Sequence, residues 1–116
     1  MRIAKTKIAL ALSMLVLAAQ AQADQLADIK AAGVVKVATF DANPPFGSVD
    51  PKTHKIVGYD VDFAEALAKS LGVKLELVAT NPANRIPLLQ SGKADLIVAD
   101  ITITPERAEV IDFSRP

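Results

Sequence analysis

The sequence predicts an α/β fold, a parallel-cored sheet with flanking helices, and three features carry that expectation. Short β-branched runs at residues 34–39, 73–79 and 96–99 alternate with segments of helical periodicity, the order of parallel strands joined by helical crossovers. The longest helical segment, residues 58–72, sets Val61, Phe63, Ala64, Leu67, Ala68 and Leu71 along one apolar stripe. The apolar run at 96–99 then stops at a polar string of Asp100, Thr102 and Thr104, followed by Arg107. That is the pattern of a buried strand whose carboxyl end opens into a ligand site.

Each element follows from local chemistry. Residues 24–32 place Leu26 and Ile29 at helical spacing before Gly33, which predicts a short helix and its stop. Residues 34–39 are alternating and β-branched, a first strand. Residues 40–48 contain Asn43-Pro44-Pro45-Phe46-Gly47, and two prolines make this a stiff loop rather than a central strand. Residues 49–57 hold the turn signal Asp50-Pro51-Lys52-Thr53 between two short extended pieces, predicting a small hairpin. In the helix over 58–72, Asp60 is the expected N-cap and Gly72 the stop.

Residues 73–79 form the expected second strand, with Lys74 and Glu76 alternating. Residues 84–92 form a second short helix in which Pro87 comes early, where its missing N–H is harmless. After the third strand at 96–99, Thr104 is expected to cap a turn over 105–109, and 110–113 to begin another extended piece. Crossovers of this kind are right-handed.

Composition narrows the function classes. Arg2, Lys5 and Lys7 precede an apolar run at 8–19, and Ala21-Gln22-Ala23 follows, which predicts a cleavable export signal over 1–23 with cleavage between Ala23 and Asp24. The apolar run is short of the roughly 20 residues that span a bilayer. Residues 24–116 then carry 10 basic and 13 acidic side chains, net −3, which gives no electrostatic case for nucleic acid or an anionic membrane. The absence of Cys removes disulfides and thiolate zinc sites. Ninety-three residues suffice for one modest core. A strand-like run directly before Pro116 has no following cover, so the sequence reads as truncated.

Three blocks carry a family resemblance: Asn43-Pro44-Pro45-Phe46, then Gly58-Tyr59-Asp60-Val61-Asp62-Phe63-Ala64-Glu65-Ala66-Leu67-Ala68, then residues 84–114. With them the chain resembles the family 3 extracellular solute-binding proteins of bacteria, periplasmic receptors of polar amino-acid ABC transporters. The resemblance implies a type II periplasmic-binding-protein-like architecture, with ligand enclosed between two α/β lobes joined by two hinge strands. Residues 24–116 would be the N-terminal, incomplete part of lobe 1. The implied partners are a polar L-amino acid and a cognate inner-membrane ABC permease, and the implied location is the periplasm.

Six residues are candidate ligand contacts. Arg107, five residues after a Thr, offers a planar guanidinium suited to clamp a small carboxylate, and the resemblance implies that this is the ligand α-carboxylate. It likewise implies that Thr102 offers its N–H to the carboxylate and its hydroxyl to the α-ammonium. Asp100 stands where relatives often carry Gly or Ser, and its carboxylate would strengthen cation binding. Asp41, in the first cleft loop, could face the ammonium or a cationic side chain, or cap a turn. Asn84 and Arg85 are the specificity candidates, favouring an acidic or amide side chain as in glutamate/aspartate-type relatives that share the Asn-Arg-Ile-Pro run.

Phe40, Phe46 and Tyr59 could wall the cleft, with Phe46 and Tyr59 expected in the core. His54 has no partners in sequence, and no Ser-His-Asp set, Gly-rich phosphate loop or metal cluster is present, so no metal and no cofactor are expected. The expected function is capture without chemistry, not an enzyme. The alternatives are an exported dehydratase of the same fold, which needs a general acid with a tuned pKa that this segment does not display, and a non-functional truncated remnant.

Overall fold

The computed structural model describes residues 24–116, and the export signal and cleavage point expected over 1–23 lie outside them. The first described helix, α1 (Gln25–Ala32), ends at Gly33, whose φ of 71° lets its N–H reach back to the Ile29 carbonyl at 3.0 Å. The chain then enters β1 (Val34–Phe40), the middle strand of a parallel three-stranded sheet. On one side β1 pairs with β5 (Lys74–Thr80), from Val34↔Lys74 to Phe40↔Thr80. On the other it pairs with β6 (Leu96–Ile97), at Val37↔Leu96 and Ala38↔Ile97.

A central strand is covered on both faces, which is why Val35, Val37, Ala38 and Thr39 are fully buried, while the edge strand β5 alternates exposed and half-buried. The core joins Ile29, Val35, Val37, Ala64 and Ala68, with Leu75, Leu77, Leu96 and Val98 packed around them. Ala64 and Ala68 belong to α2 (Tyr59–Leu71), and such small side chains leave a thin layer between helix and strands. Asp95 pins the entry to β6: its Oδ2 accepts from the Lys36 N–H at 2.9 Å, and its own N–H donates to the Lys36 carbonyl at 2.7 Å.

A second, antiparallel sheet of β2 (Ala42–Asn43), β3 (Gly47–Val49) and β4 (Ile56–Val57) lies between β1 and α2 in the chain. The expected hairpin is present, its turn held by Asp50 Oδ1 accepting from the N–H groups of Lys52 and Thr53 at 2.7 and 3.3 Å. The prolines do not leave 40–48 wholly as loop, because Asn43 and Gly47 pair across them. At Gly58, with φ 140°, a Cβ would come within 2.3 Å of the Phe46 carbonyl oxygen, so only glycine fits. That close approach docks the small sheet on the start of α2.

Several expectations are corrected. The N-cap of α2 is Gly58, not Asp60. The free N–H groups of Tyr59 and Asp60 donate to the Pro45 and Phe46 carbonyls at 3.1 and 2.9 Å, so loop backbone does what a capping side chain would do. Phe46 and Tyr59, expected in the core, are 40% and 67% exposed and meet edge to face at 6.5 Å. The helical phase explains it: Tyr59 and Phe63 share the face opposite Ala64 and Ala68, and Phe63 is exposed as well.

The strand expected over 96–99 pairs only at Leu96 and Ile97, with one further bond from the Val98 N–H to the Ala38 carbonyl at 2.9 Å. Residues 110–113 are not a strand. The N–H groups of Val110 and Ile111 both donate to the Arg107 carbonyl, prolonging the turn that leaves the last helix. The rest of the order holds: α3 (Arg85–Gln90) precedes β6, and α4 (Pro105–Ala108) follows it.

Candidate functional site

In a parallel sheet all strands finish at the same edge, so the residues after β1, β5 and β6 come together. Here they border a cleft of about 420 Å³ whose lining includes Phe40, Asp41, Asn43, Asn81, Arg85 and Asp100. Three of the six expected contacts, Asp41, Arg85 and Asp100, thus share one cleft. Asn84 lines an adjoining groove of about 510 Å³ that also contains Asp41, Asn81 and Lys93. Thr102 lines a larger depression of about 800 Å³ with the C-terminal residues. We take the strand-end cleft as the site because it lies at the carboxyl ends of the parallel strands and gathers three of the six expected contacts, whereas the larger depression holds Thr102 alone of them.

Arg85 reaches the cleft through the turn that starts α3. Asn81 Oδ1 accepts from the Asn84 N–H at 3.0 Å, and the Asn81 carbonyl accepts from the N–H groups of Asn84 and Arg85, both at 3.2 Å. The Arg85 side chain is 7% exposed. Its Nη1 donates to the carbonyls of Ala99 and Asp100 at 3.0 and 2.9 Å, and its Cζ lies 5.6 Å from the centre of the Phe40 ring. Burial, helped by the neighbouring Arg107 charge and opposed by Asp100, lowers its pKa from the ordinary arginine value. The guanidinium stays protonated all the same. Asp100 sits at φ 49°, a left-handed backbone that few residues other than glycine adopt, and it is exposed.

Arg107 is half-buried on α4. Thr104 caps this helix as expected, its Oγ1 accepting from the Arg107 N–H at 3.2 Å, and Pro105 follows as the first helical residue. The Arg107 Nη1 turns back and donates to the Thr102 carbonyl at 2.8 Å. Arg107 and Thr102 are therefore brought together, by a backbone contact rather than through the Thr hydroxyl.

A further residue of this neighbourhood is the one expected only as the cap of α2. Asp60 is 7% exposed, its Oδ2 has no hydrogen-bond partner, and burial together with the Asp100 charge raises its pKa above the usual carboxylate value. The spacing 60, 64, 68 shared with Ala64 and Ala68 would have placed it on the inward face. Among the described residues no group of three or more His, Asp or Glu is placed to hold a metal ion, and no helix is long and apolar enough to cross a membrane.

Comparison with known proteins places this geometry. The model of the bacterial extracellular solute-binding proteins, family 3, matches residues 35–116. The glutamine-binding protein of Geobacillus stearothermophilus is 42% identical over 72 residues, 60% of this chain and 28% of that protein. The ancestral amino acid-binding protein AncCDT-1, a precursor of cyclohexadienyl dehydratase, has a TM-score of 0.75 at 43% identity, covering 80% of this chain and 40% of that one. The arginine-bound form of domain 1 from TmArgBP has a TM-score of 0.72 at 42% identity, covering 77% of this chain and 70% of that one. The chain spans 26–33% of the length of the curated relatives it matches.

Proposed function

The chain belongs to the bacterial extracellular solute-binding proteins, family 3, and on that footing we propose that residues 24–116 form part of the first lobe of an exported receptor. It would bind a polar L-amino acid and hand it to a cognate inner-membrane ABC permease. The observation that carries this reading is the strand-end cleft, lined by Asp41, Asp100 and Arg85, with the Arg107 charge near enough to act on Arg85. A zwitterion needs both signs a few ångströms apart.

In this reading Arg107 exchanges its bond to the Thr102 carbonyl for the ligand α-carboxylate, gaining two parallel charge-assisted bonds. Thr102 offers its N–H to the carboxylate and its hydroxyl to the ammonium. Asp100 and Asp41 face the ammonium or a cationic side chain. Asn84 sits on the adjoining groove, where a longer side chain would run. An acidic or amide side chain, the preference expected from Arg85, would have to use the part of that guanidinium not bound to carbonyls. A dehydratase activity, the rival, requires a general acid of raised pKa at the cleft, and Asp60, the carboxyl among the described residues held above its ordinary value, does not line it. We therefore favour binding without chemistry, after removal of residues 1–23.

Titration of the chain with glutamine, glutamate, arginine, histidine, cystine and glycine, followed by amide chemical shifts, tests the reading. One lobe covers one side of a ligand and leaves the other wet, so we expect millimolar affinity, about 4 kcal/mol. Shifts confined to residues around the strand-end cleft support it. No shift with any amino acid would sink it.

A further inference from the structure

We infer that Arg85 is a positioning residue: its guanidinium ties the carbonyls of Ala99 and Asp100 to α3 and holds the left-handed turn from which residues 100–102 are presented. The purpose of that turn rests on the amino-acid-binding reading, while the tie itself rests on geometry alone.

Two consecutive carbonyls accept from one nitrogen, at 3.0 and 2.9 Å. In an extended strand successive carbonyls point to opposite sides, so one donor cannot reach both. A residue in a helical conformation of either hand swings them to the same side, and Asp100 at φ 49° lies in the left-handed region. The left-handed turn at Asp100 thus brings both carbonyls within reach of one nitrogen, and the tie in return holds that turn. The bonds are charge-assisted and span 14 and 15 residues, from the first turn of α3 to the segment that follows β6. They offset the strain of a non-glycine residue in that conformation.

Burial separates this role from ligand recognition. Arg85 is 7% exposed and stacked on Phe40, and its Nε is buried without a partner. A side chain so enclosed is held in place and has little freedom to follow ligands of different shape. Arg107 holds a further carbonyl of the segment, that of Thr102, from a half-buried position. The backbone of 99–102 is thus fixed by two guanidiniums, and Arg85 is the one that does not need to move.

The test compares ligands with and without a side chain. In the full chain carrying Arg85→Met, affinity for glycine and for side-chain-bearing amino acids should fall by a similar factor, about tenfold for lost bonds to a charged donor. Arg85→Lys should recover part of the loss, because an ammonium can still reach one carbonyl. Unchanged glycine affinity with an altered order among side chains overturns the inference and returns Arg85 to ligand recognition.

A ligand-free readout keeps the two readings apart. The amides of Asp100 and Ile101, which belong to the tied peptide groups, should shift in Arg85→Lys while those of α1 stay put. If these amides do not move, the tie is wrong even where ligands bind. If they move and no amino acid binds the wild type, the tie stands and the binding reading fails. Should Arg85→Met not fold, Arg85→Lys and restricted rotation of the wild-type Arg85 Nη groups carry the decision.

Discussion

Two arginines hold the segment that follows β6, and they differ in how much water surrounds them. Arg85 comes from a six-residue helix, lies 7% exposed and bonds to two carbonyls at once. Arg107 comes from a four-residue helix, is half-buried and bonds to one carbonyl. A charge-assisted bond in contact with water exchanges readily for another partner, whereas breaking one inside leaves unpaired acceptors behind. The same side chain is therefore a fixed tie at one position and, on the proposed reading, an available clamp at the other. Burial, more than residue type, divides framework from contact in this site.

The sharpest way to break the contrast is Arg107→Ala. Loss of a bidentate partner in a closed receptor should reduce amino-acid binding by about 2–5 kcal/mol, with little change in thermal stability. Calorimetry of a two-lobed receptor carrying this segment, beside a melting curve, checks both halves, and less than a fivefold loss of affinity removes Arg107 as the clamp. Arg85→Met should do the reverse in proportion, lowering stability by about 1–3 kcal/mol through two orphaned carbonyls. Urea titration measures it. A variant as stable as wild type would erase the distinction drawn here.

A smaller effect sharpens the Arg107 side. Thr104→Ala removes the side-chain acceptor for the Arg107 N–H and should cost about 1 kcal/mol of local stability. Its mark is faster hydrogen exchange at Arg107 and Ala108, with the main sheet unaffected.

The last effect concerns Asp60, which burial first and Asp100 second hold above its ordinary carboxylate pKa. Its favourable contribution is complete below the unfolded value, 3.8, and is lost as pH rises through the higher folded value. Asp60→Asn should therefore match or fall below wild type in acid and gain on it toward neutral pH. Denaturation at several pH values reads the sign, and a gain that grows toward acid would contradict it.

Much of the frame was legible because short-range patterns decide it. β-branched alternation located β1 and β5, Gly33 and Gly72 marked two helix ends with φ near 70°, and Thr104 before Pro105 announced a cap. The losses came from interactions between distant residues. Nothing local in Ala99-Asp100 says that an arginine 14 residues earlier will claim its carbonyls and cut the strand to Leu96 and Ile97. Hydrophobicity argues for Phe46 and Tyr59 in the core, but the helical phase of Tyr59 already points outward. Asp60 stands near a helix start, which suggests a cap, although the 60, 64, 68 spacing argues for the interior. In the site, the residue types were readable, and which of them had already been claimed by backbone was not.

The middle strand of the main sheet is made first, and both of its neighbours arrive much later in the chain. Lys36 meets Asp95 across 59 residues, and Val34 waits for Lys74. Closing such long loops before any reward is slow, so assembly of this sheet should lag well behind its helices. During synthesis β1 would leave the ribosome with no strand to pair with until Lys74–Thr80 has followed it, and with one side still open until Leu96 emerges.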